Sequence, residues 1–335
     1  MKPMIYIDVR TTDPDFNLAL EEYVFSHMGR GREYLLLWQN DNAVIIGRHQ
    51  NTMAEIDQSY VREKGLRVVR RMSGGGAVYH DLGNLNFSFI ADAQSAQVDL
   101  RRFCLRIAGA LAALGLDVQV DGRNDILANG CKISGNAQYM KEGRVMHHGT
   151  LLFDSDLSVL SKALQPDPEK IKAKGVASVR SRVANIRSLL PVDMTLEQFR
   201  QHLASYLLQD VPHSCYTLTD EDQAAVEQIR AARYGSWDWN CGASPACSIT
   251  RQQRFEGVGT VRVDMELTKG RISQVLFTGD FFSTEEPSGL SERLQGRALT
   301  AQALADVDPA PYISGLTTKA LQTLLLGYCD TSKRL

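Results

Sequence analysis

The sequence has no excess of either charge. Its 335 residues carry 37 lysines and arginines against 39 acids, a formal net charge of −2. So even a balance gives no global electrostatic case for a nucleic-acid or membrane partner, since those surfaces respond to summed charge. Paired cysteines are also lacking. Cys104, Cys131, Cys215, Cys241, Cys247 and Cys329 are scattered, with no C-x-x-C pair and no zinc spacing. A chain of this length builds a core without a disulfide framework, so reduced thiols are expected. No run is apolar enough to span a bilayer, and the opening MKPMIYIDVR holds no apolar signal region. A cytoplasmic protein is the expectation. Internal repeats and low-complexity tracts are absent as well.

What remains is an ordinary globular composition, 44% hydrophobic and 23% charged, in a chain long enough for two domains. MIYIDV reads as a strand. Asp13 caps the next helix with Pro14 at its first position, and Phe16, Ala19, Leu20, Tyr23 and Val24 fall on one face. YLLLW (34–38) and AVIIG (43–47) read as strands around the turn signal QNDN, and a short helix near 57–64 precedes the strand LRVVR. Asp99 reads as the cap of another helix, and strand pieces follow through LDVQV, DILAN, CKISGNAQ and VMHHGTLLFD. Hairpins alternating with helices predict an α+β domain with a mixed, largely antiparallel sheet. CGASPAC reads as a linker, and the strands beyond it, with short helices, predict a small α+β C-terminal domain. The expected division is 1–245 and 246–335.

The segment RRMSGGGAVYHDLGNLNFSF (70–89) carries the most chemistry. It lacks the Lys-Ser/Thr of a P-loop, and its glycines lead into a strand instead of opening a helix. Three glycines still let backbone N–H groups approach an anion closely. Arg70 and Arg71 add charge beside them, and the forked guanidinium suits phosphate or carboxylate. If both arginines extend the preceding strand, alternation leaves one facing a ligand, and Arg71, next to the loop, is the choice.

In GRNDILANGCKISGNAQ (122–138), Lys132 lies in a short apolar strand, a half-desolvated cation fitted to a carboxylate or an α-phosphate. Most strand lysines are instead solvated on an edge. Asn124 and Asp125 are hard-oxygen candidates for Mg²⁺ or ribose, though turn residues are the plainer reading. His147 and His148 are adjacent and not at the helical i, i+4 spacing that binds zinc; one buried and one exposed histidine is expected. KIKAKGVASVRSRVANIR (170–187) holds Lys170, Lys172, Lys174, Arg180, Arg182 and Arg187 and no acid, which is a solvated face or a lid over an anion.

Taken in order, RRMSGGGAVYHDLGN, GRNDI…CKISGNAQ, HHGTLL and KGVASVRSRVANI resemble the lipoate-protein ligase A family from about Ile5 to Leu190, and more loosely through SWDWN…GASPA. The resemblance implies the biotin/lipoate ligase fold, distantly similar to class II aminoacyl-tRNA synthetase catalytic domains. It implies activation of lipoate by ATP and Mg²⁺ to lipoyl-AMP. The lipoyl group then passes to a lysine of lipoyl domains of 2-oxoacid dehydrogenase E2 subunits or of the glycine-cleavage H protein. Carried over residue by residue, Arg71, Gly75, Gly76, Ala77, Val78, Tyr79, Asn124, Lys174 and Arg180 are ATP- or adenylate-binding. Lys132 is catalytic and touches both ligands. Arg70, Ser73, His148, Gly149 and Thr150 line the lipoate side, and Asp125 is the candidate Mg²⁺ ligand. The segment ILANGC before Lys132 is shorter and less charged than the family pattern.

Three other readings compete. An octanoyl- or lipoyl-transferase of the same fold works without ATP, some through a cysteine thioester; strand alternation turns Cys131 away from Lys132. A biotin ligase requires a G-R-G-R loop that is absent here. A non-catalytic RNA-binding relative requires an aromatic-rich basic stripe, also absent.

Overall fold

The alternation of strands and helices is realised in the computed structural model, which describes residues 3–93, 99–121, 124–164, 183–243, 247–279, 281 and 283–327. The chain divides into two compact units. One comprises Met1–Arg48, Arg67–Ser161 and Pro166–Ser236, and the other His49–Leu66, Lys162–Gln165 and Trp237–Leu335. This differs from a single boundary at 245/246. The short helix Thr52–Glu55 belongs with residues far downstream: Met53 is buried in their core, and Thr52 Oγ1 donates to Asn240 O at 2.6 Å.

In the first unit the strands are β1 (Met4–Asp8), β2 (Glu33–Trp38), β3 (Ala43–Ile46), β4 (Arg67–Arg70), β5 (Val78–His80), β6 (Asn84–Asp92), β7 (Val118–Asp121), β8 (Asp125–Ala128), β9 (Cys131–Lys141), β10 (Arg144–Leu152) and β11 (His213–Cys215). Among the described residues, eight of them form one sheet in the order β11-β1-β2-β6-β10-β9-β8-β7. The pairs β11/β1 and β1/β2 are parallel and the rest antiparallel, so the sheet is mixed and largely antiparallel. β2 and β3, adjacent in sequence, separate: β3 joins a small sheet ordered β4-β3-β5.

β6 shows why the sheet is a two-sided layer. Leu85, Phe87 and Phe89 alternate with Asn84, Asn86 and Ser88, a pattern that reads as half-exposed. All six are buried. The apolar face packs with Phe103, Ile107 and Leu111 of helix Arg101–Ala112 and with Phe199 and Leu203 of helix Leu196–Leu208. The polar face is the floor of the site described below. Helix Pro14–Ser26 starts as predicted, with the Asp13 carboxylate accepting from Asp15 N and Phe16 N and Pro14 in the first turn. It is buried over more than one stripe: Leu18, Glu21 and Phe25 are buried, whereas Phe16 and Tyr23 are only partly so. The hairpin before Lys132 turns on two residues, Asn129 (φ +51°) and Gly130 (φ +76°), the Asn-Gly signature of a tight I′ turn. That accounts for the shortness of ILANGC.

In the second unit β12 (Cys247–Phe255), β13 (Gly259–Thr268) and β14 (Arg271–Gly279) form an antiparallel meander. Val261, Val263, Met265 and Leu267 of β13 share a core with residues of helices Ser288–Leu294 and Thr318–Leu326. Among the described residues, no helix is long and apolar enough to cross a membrane.

Candidate active site

A cavity of about 150 Å³ opens in the first unit over the polar side of β6 and β10. Its wall takes Arg71, Gly75, Gly76, Ala77 and Val78 from the glycine loop, Asn124 and Lys132 from the hairpin region, and His148, Gly149 and Thr150 from β10. Ten residues singled out in the sequence thus meet at one place. Arg70, Ser73, Tyr79 and Asp125 do not line it.

The two arginines divide their work differently from strand alternation. β4 ends at Arg70, and both side chains are buried. Arg70 donates to Gly47 O and Arg48 O at 3.0 and 3.1 Å, behind the wall. Arg71 is spread through the loop itself: Nε donates to Ser73 Oγ (3.0 Å), one terminal nitrogen to Ile45 O (3.1 Å), the other to Gly74 O (2.7 Å) and Gly76 O (2.8 Å). Burial pushes its pKa down to about 10, opposed by the Glu21 carboxylate, so it is charged at neutral pH. The guanidinium is therefore an internal scaffold of the loop that also places a positive charge beneath it. Gly75 adopts φ +94°, and a Cβ there would stand 3.0 Å from an Arg71 nitrogen. Gly76, by contrast, faces open space. Tyr79 points its hydroxyl toward Asn42 Oδ1 at 3.4 Å.

Lys132 sits where β8 and β9 slip register, opposite Leu127. Its Nζ lies 2.7 Å from Asp125 Oδ1, each side chain about one-third exposed (35% and 31%). Gly135 makes room for it: a Cβ there would fall 3.0 Å from Nζ. Asn124 is locked to β9, its Nδ2 donating to Asn136 O (2.9 Å) while Asn136 Nδ2 donates to Asn124 O (3.0 Å). Cys131 is half-buried and does not line the cavity. Lys170, Lys172, Lys174, Arg180 and Arg182, expected over an adenylate, lie outside the described residues. The chain re-enters beside the lysine, Ala184 N donating to Lys132 O at 3.1 Å. Arg187 is tied to Asp154 and Asp193.

The expectation of one exposed histidine is corrected: both are buried. β10 is central in the sheet, and its residues 144–149 are buried on both sides of the pleat. His147 stacks on Phe103 (4.9 Å) on the apolar face and bonds Asn136 Oδ1 at 3.1 Å; burial pushes its pKa down to about 3. His148 faces the cavity. Its Nδ1 lies 2.9 Å from Glu21 Oε1 and its Nε2 2.6 Å from Ser73 Oγ. A carboxylate only accepts, so Nδ1 carries a proton. Ser88 Oγ also donates to Glu21, and Trp38 Nε1 donates to Ser88. Ser73 thus couples Arg71 to the His148–Glu21 pair. Glu21 was missed in the sequence; its signal is an acid inside an otherwise buried helical stretch. A Cβ at Gly149 would overlap Asn136 Oδ1 (2.3 Å) and the Phe87 ring (2.6 Å), while Thr150 Oγ1 accepts from Gly135 N at 3.2 Å.

A cation, a glycine-rich loop and a buried polar wall meet around one small cavity. The family follows from comparison with known proteins. Residues 13–208 match the lipoyl protein ligase A/B catalytic domain, and residues 244–325 match the bacterial lipoate protein ligase C-terminus. The chain belongs to the lipoate-protein ligase family. It is 43% identical over 311 residues to the lipoate-protein ligase LplJ of Bacillus subtilis, covering 91% of this chain and 93% of that protein. Among solved structures it is similar to a bi-partite lipoate protein ligase of an archaeal lipoylation system from Thermoplasma acidophilum, studied with its E2 lipoyl domain. The TM-score is 0.63 and the identity 29%, over 72% of this chain and 96% of that one. A lipoate-protein ligase A bound with ATP is similar at TM-score 0.61 and 28% identity, over 72% of this chain and all (100%) of that one. In this ligase the matched catalytic domain holds the cavity and all its lining residues, and the enzyme is a lipoate ligase by family.

Proposed function

We propose that this ligase activates lipoate with ATP and transfers the lipoyl group to a protein lysine. A carboxylate oxygen of lipoate attacks the α-phosphorus, the bond to the bridging oxygen breaks, and pyrophosphate leaves. The acceptor lysine, having lost a proton, then attacks the acyl carbon of lipoyl-AMP, and AMP departs. The observation that carries this reading is the meeting of Lys132 with the Arg71-braced glycine loop at one cavity. Both reactants of the first step are anions, so fixed positive charge and N–H dipoles supply what the chemistry lacks.

Lys132 bridges the lipoyl carboxylate and the α-phosphate, exchanging Asp125 for these ligands. Backbone N–H groups at 75–78 take the phosphates, with Arg71 holding their geometry. Asn124 contributes on the nucleotide side, and the family resemblance assigns Lys174 and Arg180, which lie outside the described residues, to adenylate binding. His148, positioned by Ser73, holds the lipoyl side, with Gly149 and Thr150 completing its wall; Arg70 and Tyr79 support the loop from behind. The donors fit a Mg²⁺ held largely by phosphate, with Asp125 and the amide oxygen of Asn124 completing it. Such an ion would neutralise phosphate charge when bound.

The acceptors are lipoyl domains of E2 subunits or the glycine-cleavage H protein, in the cytoplasm. Support for such partners is the similarity to a ligase studied with its E2 lipoyl domain. ATP–pyrophosphate exchange with lipoate, octanoate and biotin side by side tests the reading. Exchange with lipoate is expected. Acyl transfer that proceeds without ATP, and no exchange with any acid, would replace it by the transferase reading.

A further inference from the structure

His80, at the end of β5, lines the cavity, is 4% exposed, and has no partner for its Nε2 among the described residues. The surrounding amides determine which nitrogen carries its proton. Backbone carbonyls only accept, so Thr11 O and Gln39 O, at 3.1 and 2.7 Å, identify the Asn17 side-chain nitrogen. That nitrogen also lies 3.0 Å from Asn40 Oδ1, which turns the Asn40 nitrogen to His80 Nδ1, 3.1 Å away. Asn86 Nδ2 lies 3.5 Å from the same ring nitrogen. His80 Nδ1 is therefore an acceptor, and in neutral imidazole the proton sits on Nε2. Burial keeps the ring neutral, pushing its pKa down to about 3, with the Arg71 charge adding to the effect. The result is a buried N–H donor in a cavity wall with no acceptor among the described residues, an unfavourable arrangement that a ligand acceptor would relieve.

The position of His80 says which part of a ligand that is. Trp38, Asn86 and Thr150 lie in one row across β2, β6 and β10, and Thr150 Oγ1 continues the row to Gly135 of β9. Gly135 is the residue against which the Lys132 ammonium rests. His80 stands edge-on to Trp38, ring centroids 6.1 Å apart, at the other end. His80 is beside both Trp38 and Asn86, so two to three strand spacings separate it from Gly135, roughly 10–14 Å in all. An acid whose carboxylate is held by Lys132 brings the far end of an extended eight-carbon chain to His80.

We propose that His80 reads that far end, donating Nε2–H to a sulfur of the dithiolane ring, so that the site favours the lipoyl chain over the plain octanoyl chain. The inference rests on the proposed function and names its specificity residue. Octanoate has no atom there that can accept. A disulfide sulfur, like a thioether's, accepts only weakly, so the discrimination is modest.

The test compares kcat/KM for lipoate and octanoate in pyrophosphate exchange for wild type, His80→Phe and His80→Gln. His80→Phe is expected to move the lipoate-over-octanoate ratio about three- to tenfold toward octanoate, with His80→Gln, which retains an N–H donor, restoring part of it. Equal effects on both acids would overturn the proposal. His80→Phe also strands the Asn40 amide and risks misfolding, so a second readout uses the wild-type chain. With ¹⁵N-histidine labelling, the His80 Nε2–H resonance should shift on adding lipoate and not on adding octanoate; a resonance indifferent to lipoate sinks the idea. If wild type exchanges pyrophosphate with neither acid, the proposed function fails, and this titration alone decides the role of His80.

Discussion

Lys132 Nζ and Asp125 Oδ1 stand 2.7 Å apart at the edge of the cavity, closing an ion pair between neighbouring strands. Both side chains are about a third exposed, so the pair contributes at most about 1 kcal/mol to stability. Its meaning lies in exchange: a lysine held by one carboxylate is positioned to be taken over by another. Asp125→Asn should leave the melting temperature within a few degrees of wild type while raising the Mg²⁺ concentration needed for half-maximal exchange. An unchanged Mg²⁺ titration would remove Asp125 from the metal site.

Lys132→Arg should reduce pyrophosphate exchange by at least about a hundredfold, with circular dichroism unchanged. The planar fork of arginine cannot occupy a point-charge position between carboxylate and phosphate without displacing both. Near-normal exchange in the variant would exclude the bridging role.

The glycines of the loop separate into two classes. At Gly75 any side chain meets φ +94° and the Arg71 guanidinium, so Gly75→Val should lower stability by about 1–2 kcal/mol and also raise KM for ATP. At Gly76 there is open space. Gly76→Val should therefore melt like wild type yet raise KM for ATP about tenfold, equivalent to about 1.4 kcal/mol. If Gly76→Val binds ATP normally, the backbone there does not approach the phosphates.

Gly149→Ala pushes a methyl group into Asn136 and Phe87. A loss of about 1–3 kcal/mol in denaturant unfolding is expected. Full stability would show that β10 and β9 can part cheaply.

His80 and His147 are both held near pKa 3, against 6.5 when free, because burial disfavours the charged ring. The unfolded chain therefore binds more protons in the window from about 6.5 down to about 3. Stability is fully present above 6.5 and falls as pH drops, by about 1.4 kcal/mol per pH unit for each histidine. Urea unfolding between pH 7 and 4 measures the slope, and His147→Gln should reduce it by the share of one histidine. An unchanged slope in that variant would mean that His147 titrates alike in both states.

Some of this was legible in the chain and some was not. Helix starts and hairpins are local: Asp13-Pro14 and Asn129-Gly130 are read from a few neighbouring residues because caps and tight turns are decided by short-range sterics and hydrogen bonds. The family resemblance implied a common site for the glycine loop, Lys132 and His148, and their meeting at one cavity depends on β6, β9 and β10 pairing across long separations in sequence. Burial on both faces of β6 and β10 could not be read from alternation. A period of two says that faces differ, not whether the polar face is covered, and helix Pro14–Ser26 is on the side where His148 meets Glu21.

By itself the sequence determined the segments, their caps and turns, and the residue types able to handle two anions, because these depend on local geometry and side-chain chemistry. Only the tertiary structure decided that Arg71 braces the loop, that Met53 joins a core formed far downstream, and that His80 ends with its proton on Nε2. Each of these depends on groups remote in the chain being held within hydrogen-bonding or van der Waals distance, and such distances exist only once the chain has packed.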